Sequence, residues 1–101
     1  MRQYFKKIIW TRDRVDHISR HGIGLDEVEE AVFDDPYCVV RQGGRALRSP
    51  EENVYFVYGV TMSGTFLFVV LVGRPGSMVF PATARKMTAS EKRLYMRRKG
   101  E

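Results

Sequence analysis

One cysteine, Cys38, is too few for an internal disulfide, so no covalent staple holds this chain together. A reducing cytoplasm is the natural setting for such a sequence and is the expected localisation. Long apolar runs are missing as well. The longest, Phe66 to Val72, has the length of a strand and falls far short of what a membrane-crossing helix needs. The apolar stretch near the N-terminus is short and no small-residue cleavage site follows it, so no signal peptide is expected. Internal repeats, low-complexity tracts and linkers are absent too. Histidine is scarce: His17 and His21 are the two, four apart with Asp13 one turn earlier. No HExxH pattern or further ligand cluster accompanies them, so neither a metal nor another cofactor is expected.

What is present suits one domain over residues 1–101. At 44% apolar residues the chain has material for a core, and six Phe, five Tyr and one Trp argue against disorder. The net charge of +5 is unevenly spread. Residues 84–101 hold seven Lys/Arg against two Glu, and residues 1–22 hold six against two Asp. Residues 24–35 hold six Asp/Glu and no base. A basic face favours phosphate, because neutralising phosphates releases condensed counterions. The acidic stripe suits a basic partner or plain solvation.

Phe5 to Trp10 reads as a first strand and Arg12 to Arg20 as a helix, with Val15 and Ile18 on one face and Gly22 to end it. Leu25 to Phe33 reads as a second helix, striped by Leu25, Val28 and Val32 and stopped at Asp34-Asp35-Pro36. Tyr37 to Arg41 is a weak strand, and Arg41 to Asn53 is a loop or irregular hairpin. Val54 to Thr61 and Thr65 to Val72 are strong strands joined by Met62-Ser63-Gly64. Gly73-Arg74-Pro75-Gly76 turns the chain again, and Met78 to Ala84 forms another strand. Thr88-Ala89-Ser90-Glu91 is a capping box that opens a helix to about Lys99. The expected fold is α+β: a small antiparallel sheet, two N-terminal helices and one C-terminal helix, packed on one face of the sheet.

Four segments together resemble the BrnT family of toxins. The first is Trp10-Thr-Arg-Asp-Arg-Val-Asp-His17-Ile-Ser-Arg20-His21-Gly22-Ile23, similar to that family's Trp-Asp-x-x-Lys followed by Lys-His-Gly-Val/Ile. The second is the acidic stretch Leu25 to Pro36, ending in Val32-Phe33-Asp34-Asp35-Pro36. The third is the hairpin from Tyr58-Gly59-Val60-Thr61 to Gly64-Thr65-Phe66-Leu67. The fourth is Ala84-Arg85-Lys86-Met87-Thr88-Ala-Ser-Glu91-Lys-Arg93-Leu-Tyr95, close to Ala-Arg-Lys-x-Thr-x-x-Glu-Arg-x-x-Tyr. The resemblance implies a RelE-like fold and the toxin of a bacterial type II toxin–antitoxin pair, with ribonuclease activity. It also implies a small DNA-binding antitoxin as partner, through which alone the complex meets promoter DNA. The chain departs from the family pattern at Val54-Tyr55-Phe56, where an arginine is usual; Arg48 lies upstream.

Cutting RNA without a metal needs a base for the 2′-OH, a cation for the charge gathering on the phosphorane, and an acid for the leaving 5′-oxygen. Arg85 leads for the cation, since its planar fork matches phosphate oxygens in pairs. Lys86 is placed to hold a second phosphate oxygen or move a proton. His21 titrates near neutrality and is the candidate acid or base. Together these three are expected to converge with the basic helix into one phosphodiester pocket. Arg48, Arg93 and Arg97 are candidate RNA contacts, and Tyr95 a candidate base-stacking residue. Each has a plainer alternative: a surface Arg paired with an acid, an exposed Lys, a His capping carbonyls, a Tyr in the core. Two other functions fit the same scaffold: a non-enzymatic toxin that inhibits a protein target, and a non-toxic RNA-binding domain.

Overall fold

The computed structural model describes residues 5–46, 49–74 and 78–100. Strand β1 (Lys7–Ile8) leads into helix α1 (Arg12–Ser19). Thr11 caps it, accepting the Arg14 N–H at 3.3 Å, and Gly22 ends it with φ of 75°, a backbone angle that favours glycine. Helix α2 (Leu25–Glu29) starts at Gly24, whose N–H donates to the Glu27 carboxylate at 3.0 Å. Glycine has no side chain for the reciprocal half of a capping box. The helix then widens into a π-helical turn, Glu30–Asp34, closed by Asp35 N–H to the Glu30 carbonyl. Strands β2 (Val39–Ala46), β3 (Ser49–Val60), β4 (Phe66–Gly73) and β5 (Met78–Lys86) follow, and helix α3 (Ala89–Gly100) closes the chain. Among the described residues no helix is long and apolar enough to cross a membrane.

The sheet runs in the order β1-β5-β4-β3-β2. The last four strands are antiparallel neighbours, but β1 joins β5 in parallel through Lys7↔Met78 and Ile8↔Val79. The sheet is therefore mixed, not antiparallel throughout. Only two residues of the expected strand over Phe5 to Trp10 pair. Nothing local in a hexapeptide says which distant edge it will join.

The helices also divide between two faces instead of sharing one. Alternation along each strand sends Tyr55, Val57, Leu67, Val69, Leu71, Val79 and Ala84 to one side, where they bury Ile18 of α1, Ile23 and Val28, Ala31 and Val32 of the α2 segment. Trp10 closes the border of this core, half-buried, its indole N–H donating to Glu29 at 2.9 Å. The opposite side carries Tyr58, Phe66 and Phe68, under Leu94 and Tyr95 of α3. A strand with apolar residues at both parities needs cover on both faces, and β4 alternates buried with half-buried along its length.

Of the stretch from Arg41 to Asn53, the described residues pair as an irregular hairpin. Its register shifts between Gln42 and Gly44 and again between Arg45 and Ala46. The tight turn at Gly64 has φ of 91°. Of the expected turn from Gly73 to Gly76, Pro75 and Gly76 lie outside the described residues.

Gly59 is where β3 meets the π-helical turn. A Cβ there would sit 2.2 Å from the Ala31 carbonyl oxygen and 2.8 Å from its carbon, both rigid backbone. Gly59→Ala is expected to cost about 2 kcal/mol, the usual range for an extra methyl in a packed core. A urea titration checks this. An unchanged midpoint would show that the turn and the strand separate freely.

Candidate functional site

Arg85 is the centre of the site. Ala84 faces the first core, so its neighbour Arg85 emerges on the α3 side of the sheet. The register places Tyr58, Phe68 and Arg85 side by side on β3, β4 and β5. The guanidinium carbon lies 4.3 Å from the centre of the Phe68 ring, a cation–π contact, and the Phe68 and Tyr58 rings are 5.3 Å apart.

The capping box of α3 supplies the partner. Glu91 N–H donates to Thr88 Oγ1 at 3.2 Å, and the Glu91 carboxylate accepts Thr88 N–H at 2.8 Å. The same carboxylate takes both ends of the Arg85 fork, Nη1 at 2.7 Å and Nη2 at 2.8 Å. Arg85 Nη1 also donates to the Lys86 carbonyl at 3.1 Å. A guanidinium has five N–H donors. The three bonds above leave Nε–H and the second Nη2–H, which form the side fork. That side fork can hold two oxygens of one phosphate. The Arg85 side chain is 40% exposed, so solvent and ligand reach it.

These contacts fix protonation states. The hydrogen bonds to Glu91 raise the Arg85 pKa, burial opposes this, and the electrostatics of Glu91 and then Tyr58 add to the rise. Arg85 is a permanent cation. The Arg85 bonds hold the Glu91 carboxyl below its ordinary value, with burial opposing and Thr88 adding to the drop. Glu91 is therefore ionised at neutral pH. The pair is neutral as a unit, so net positive potential on this face comes from the exposed Lys92 and Arg93 of α3.

The other candidates are scattered. Lys86 stands opposite Leu67, a first-core residue, so its side chain leaves on the face away from Arg85. His21 is exposed just past α1, its ring 6.0 Å from that of His17, again on the first-core side. Arg85, Lys86 and His21 therefore do not converge, because strand parity and the two-faced cover of the sheet separate them. The surface depressions lined by Tyr37 with Lys99, by Cys38 with Arg98 and by Trp10 with Lys7 include none of the three. Arg93 and Arg97 are exposed on α3, and Arg93 donates to Ser90 Oγ at 3.1 Å. Arg48 lies outside the described residues. Among those described, no three His, Cys, Asp or Glu side chains are grouped to hold a metal ion.

Tyr95 is in the core at 1% exposure, its ring edge-on to Phe66, which leaves no open face for a base. Its hydroxyl donates to Asp35 Oδ2 at 2.7 Å. Asp35 also accepts Val60 N–H at 3.0 Å and Tyr37 N–H at 2.9 Å. One carboxylate thus ties α3, β3 and the end of the π-helical turn together. Burial, and then Asp35, push the Tyr95 hydroxyl well above its ordinary range. Burial, with Asp35 second, pushes the Cys38 thiol up to about 12, so it stays protonated and unreactive.

Glu91, Phe68 and Tyr58 are the site residues that sequence reasoning missed. The turn at Met62-Ser63-Gly64 contained a signal for two of them. A hairpin centred on Ser63 pairs Tyr58 with Phe68, as the structure has it. Comparison of the chain with models of protein families and with curated proteins finds no match. The functional reading therefore rests on the residues themselves.

Proposed function

We propose that this protein is an RNA-cutting toxin of the BrnT kind, on a RelE-like scaffold, acting through Arg85. The observation that carries the reading is the Arg85 guanidinium, oriented by Glu91 and Phe68 with its side fork open. Such a fork holds a phosphodiester and favours the phosphorane, where negative charge accumulates. Glu91, bound to Arg85, is the base, and Tyr58, in register with Phe68 and Arg85, is the hydroxyl acid. Glu91 takes the proton of the ribose 2′-OH. The 2′-oxygen then bonds to phosphorus as the bond from phosphorus to the 5′-oxygen breaks. The departing 5′-oxygen takes a proton from Tyr58, and water then carries the proton held by Glu91 back to Tyr58. The products are a 2′,3′-cyclic phosphate and a 5′-hydroxyl. A small DNA-binding antitoxin, encoded nearby, is the proposed partner.

The expected result with purified protein and a single-stranded transcript is fragments ending in 2′,3′-cyclic phosphate, formed equally well in EDTA. Fragments with 5′-phosphate ends, or intact RNA with and without ribosomes, would overturn the reading. A second reading, RNA binding without cleavage, is favoured by the placement of His21 and Lys86 on the other face of the sheet. It predicts intact RNA and a salt-sensitive complex.

A further inference from the structure

Beyond α3 the second face of the sheet continues as apolar rows. After Tyr58, Phe68 and Arg85 comes the row Phe56, Val70 and Thr83, and then Val54, Val72 and Phe80. Val54, Val70 and Val72 lie outside the cluster beneath α3 and are half-buried. Phe80 is 46% exposed and Met78 50%, large values for apolar side chains on a sheet. Cations rim this surface. Arg41 pairs in register with Phe56 on one side, Lys7 pairs with Met78 on the other, and Arg85 stands at one end. The acid of matching strand parity is Glu52, two residues before Val54 at the far end.

We propose that this face is a platform for single-stranded RNA running from Arg85 toward Phe80, with Phe80 stacking on a base. The proposal rests on the functional reading above and names its substrate class. Every base has a π-face, and stacking on an aromatic ring does not depend on sequence. In a duplex those faces are already stacked, so a flat apolar sheet gains nothing from one. Phe56 and Phe68, with ring centres 5.6 Å apart, continue the aromatic surface back to the Arg85 guanidinium, itself a plane on which bases stack. The cationic rim decides between occupants. A second copy of this chain would set the Arg41 and Lys7 edges against like charges, whereas a polyanion meets both favourably.

The test uses a fluorescein-labelled octamer of 2′-O-methyl RNA, which cannot be cut by 2′-OH attack, alone and annealed to its complement. Fluorescence anisotropy with wild-type protein is expected to show tighter binding of the single strand. Phe80→Ala is expected to weaken single-strand binding about tenfold, within the range for losing one stacked base, and to leave duplex binding unchanged. Phe80→Trp restores it. The side chain is exposed enough that both variants keep the wild-type circular dichroism and urea midpoint. Wild-type affinity in Phe80→Ala overturns the platform, and cleavage persisting in that variant leaves the Arg85 reading standing. Equal binding of duplex and single strand also overturns it. So does a wild-type dimer in sedimentation that Phe80→Ala dissociates, which would assign the face to a second copy. No binding of either RNA by the wild type removes both proposals.

Discussion

Replacing Arg85 by alanine is expected to slow RNA cleavage by about 10²- to 10³-fold while leaving the protein folded. That range is the usual loss when one donor to a developing oxyanion is removed. Arg85 is 40% exposed and its pair with Glu91 is reached by solvent, so the fold depends little on it. Arg85→Lys separates charge from shape. A lysine ammonium keeps the positive charge but has no fork to span Glu91 and a phosphate together. It should recover only a small part of the rate. Glu91→Gln keeps a hydrogen-bonding cap for Thr88 but removes the negative charge and the base. Binding of uncut RNA should then hold or strengthen while cleavage falls. Loss of both binding and cleavage in Glu91→Gln would mean that Glu91 only orients Arg85. The pH dependence has a definite sign. Glu91 is held below the ordinary carboxyl value of 4.5, so the pair is complete above that pH and is lost as pH falls through the lower folded value. Cleavage should therefore persist down to about pH 5 as far as this carboxylate is concerned. A gel assay of a labelled transcript at fixed ionic strength measures these rates.

Asp35→Ala should be the most destabilising of the simple polar truncations, at about 3 kcal/mol. The Asp35 carboxylate accepts the Tyr95 hydroxyl and the Val60 and Tyr37 amides, and alanine leaves all three donors without their acceptor. Hydrogen bonds to charged groups are worth about 1.5–3 kcal/mol each, but they are not additive here and water replaces some of them. Tyr95→Phe removes one of the three and should cost about 1 kcal/mol. The two variants also differ in alkali. Tyr95 has its pKa raised on folding from the ordinary 10.0, so its contribution is whole below about pH 10 and is lost as pH rises beyond that. The gap between wild type and Tyr95→Phe should thus narrow above pH 10, because the wild type alone loses this term. Urea midpoints at pH 7 and pH 10.5 report both effects. Equal midpoints for Asp35→Ala and Tyr95→Phe would show that Asp35 serves the hydroxyl alone.

The same carboxylate explains why Tyr95 is a poor base-stacking residue. From the sequence, Tyr95 is an aromatic residue on a basic helix, a combination that RNA sites use. Its burial comes from the sheet face beneath α3, sixty residues away from Asp35 in the chain. The separation of His21 from Arg85 has a similar origin. Both sit in segments resembling one toxin family, and nothing in a linear pattern says that α1 covers one face of the sheet and α3 the other.

What the sequence determined by itself was local. Runs of Val, Phe and Tyr specified β4 and the second half of β3, Ser63 centred their hairpin, and Thr88 with Glu91 marked the start of α3 to the residue. These follow from strand parity, turn chemistry and capping, which act over a few residues. The tertiary structure decided the rest. It set β1 in parallel against β5, placed the helices on two faces, and gave Glu91 a second task as the partner of Arg85. Such outcomes depend on which apolar surfaces meet across the whole chain, and that is settled by burial, not by neighbouring residues.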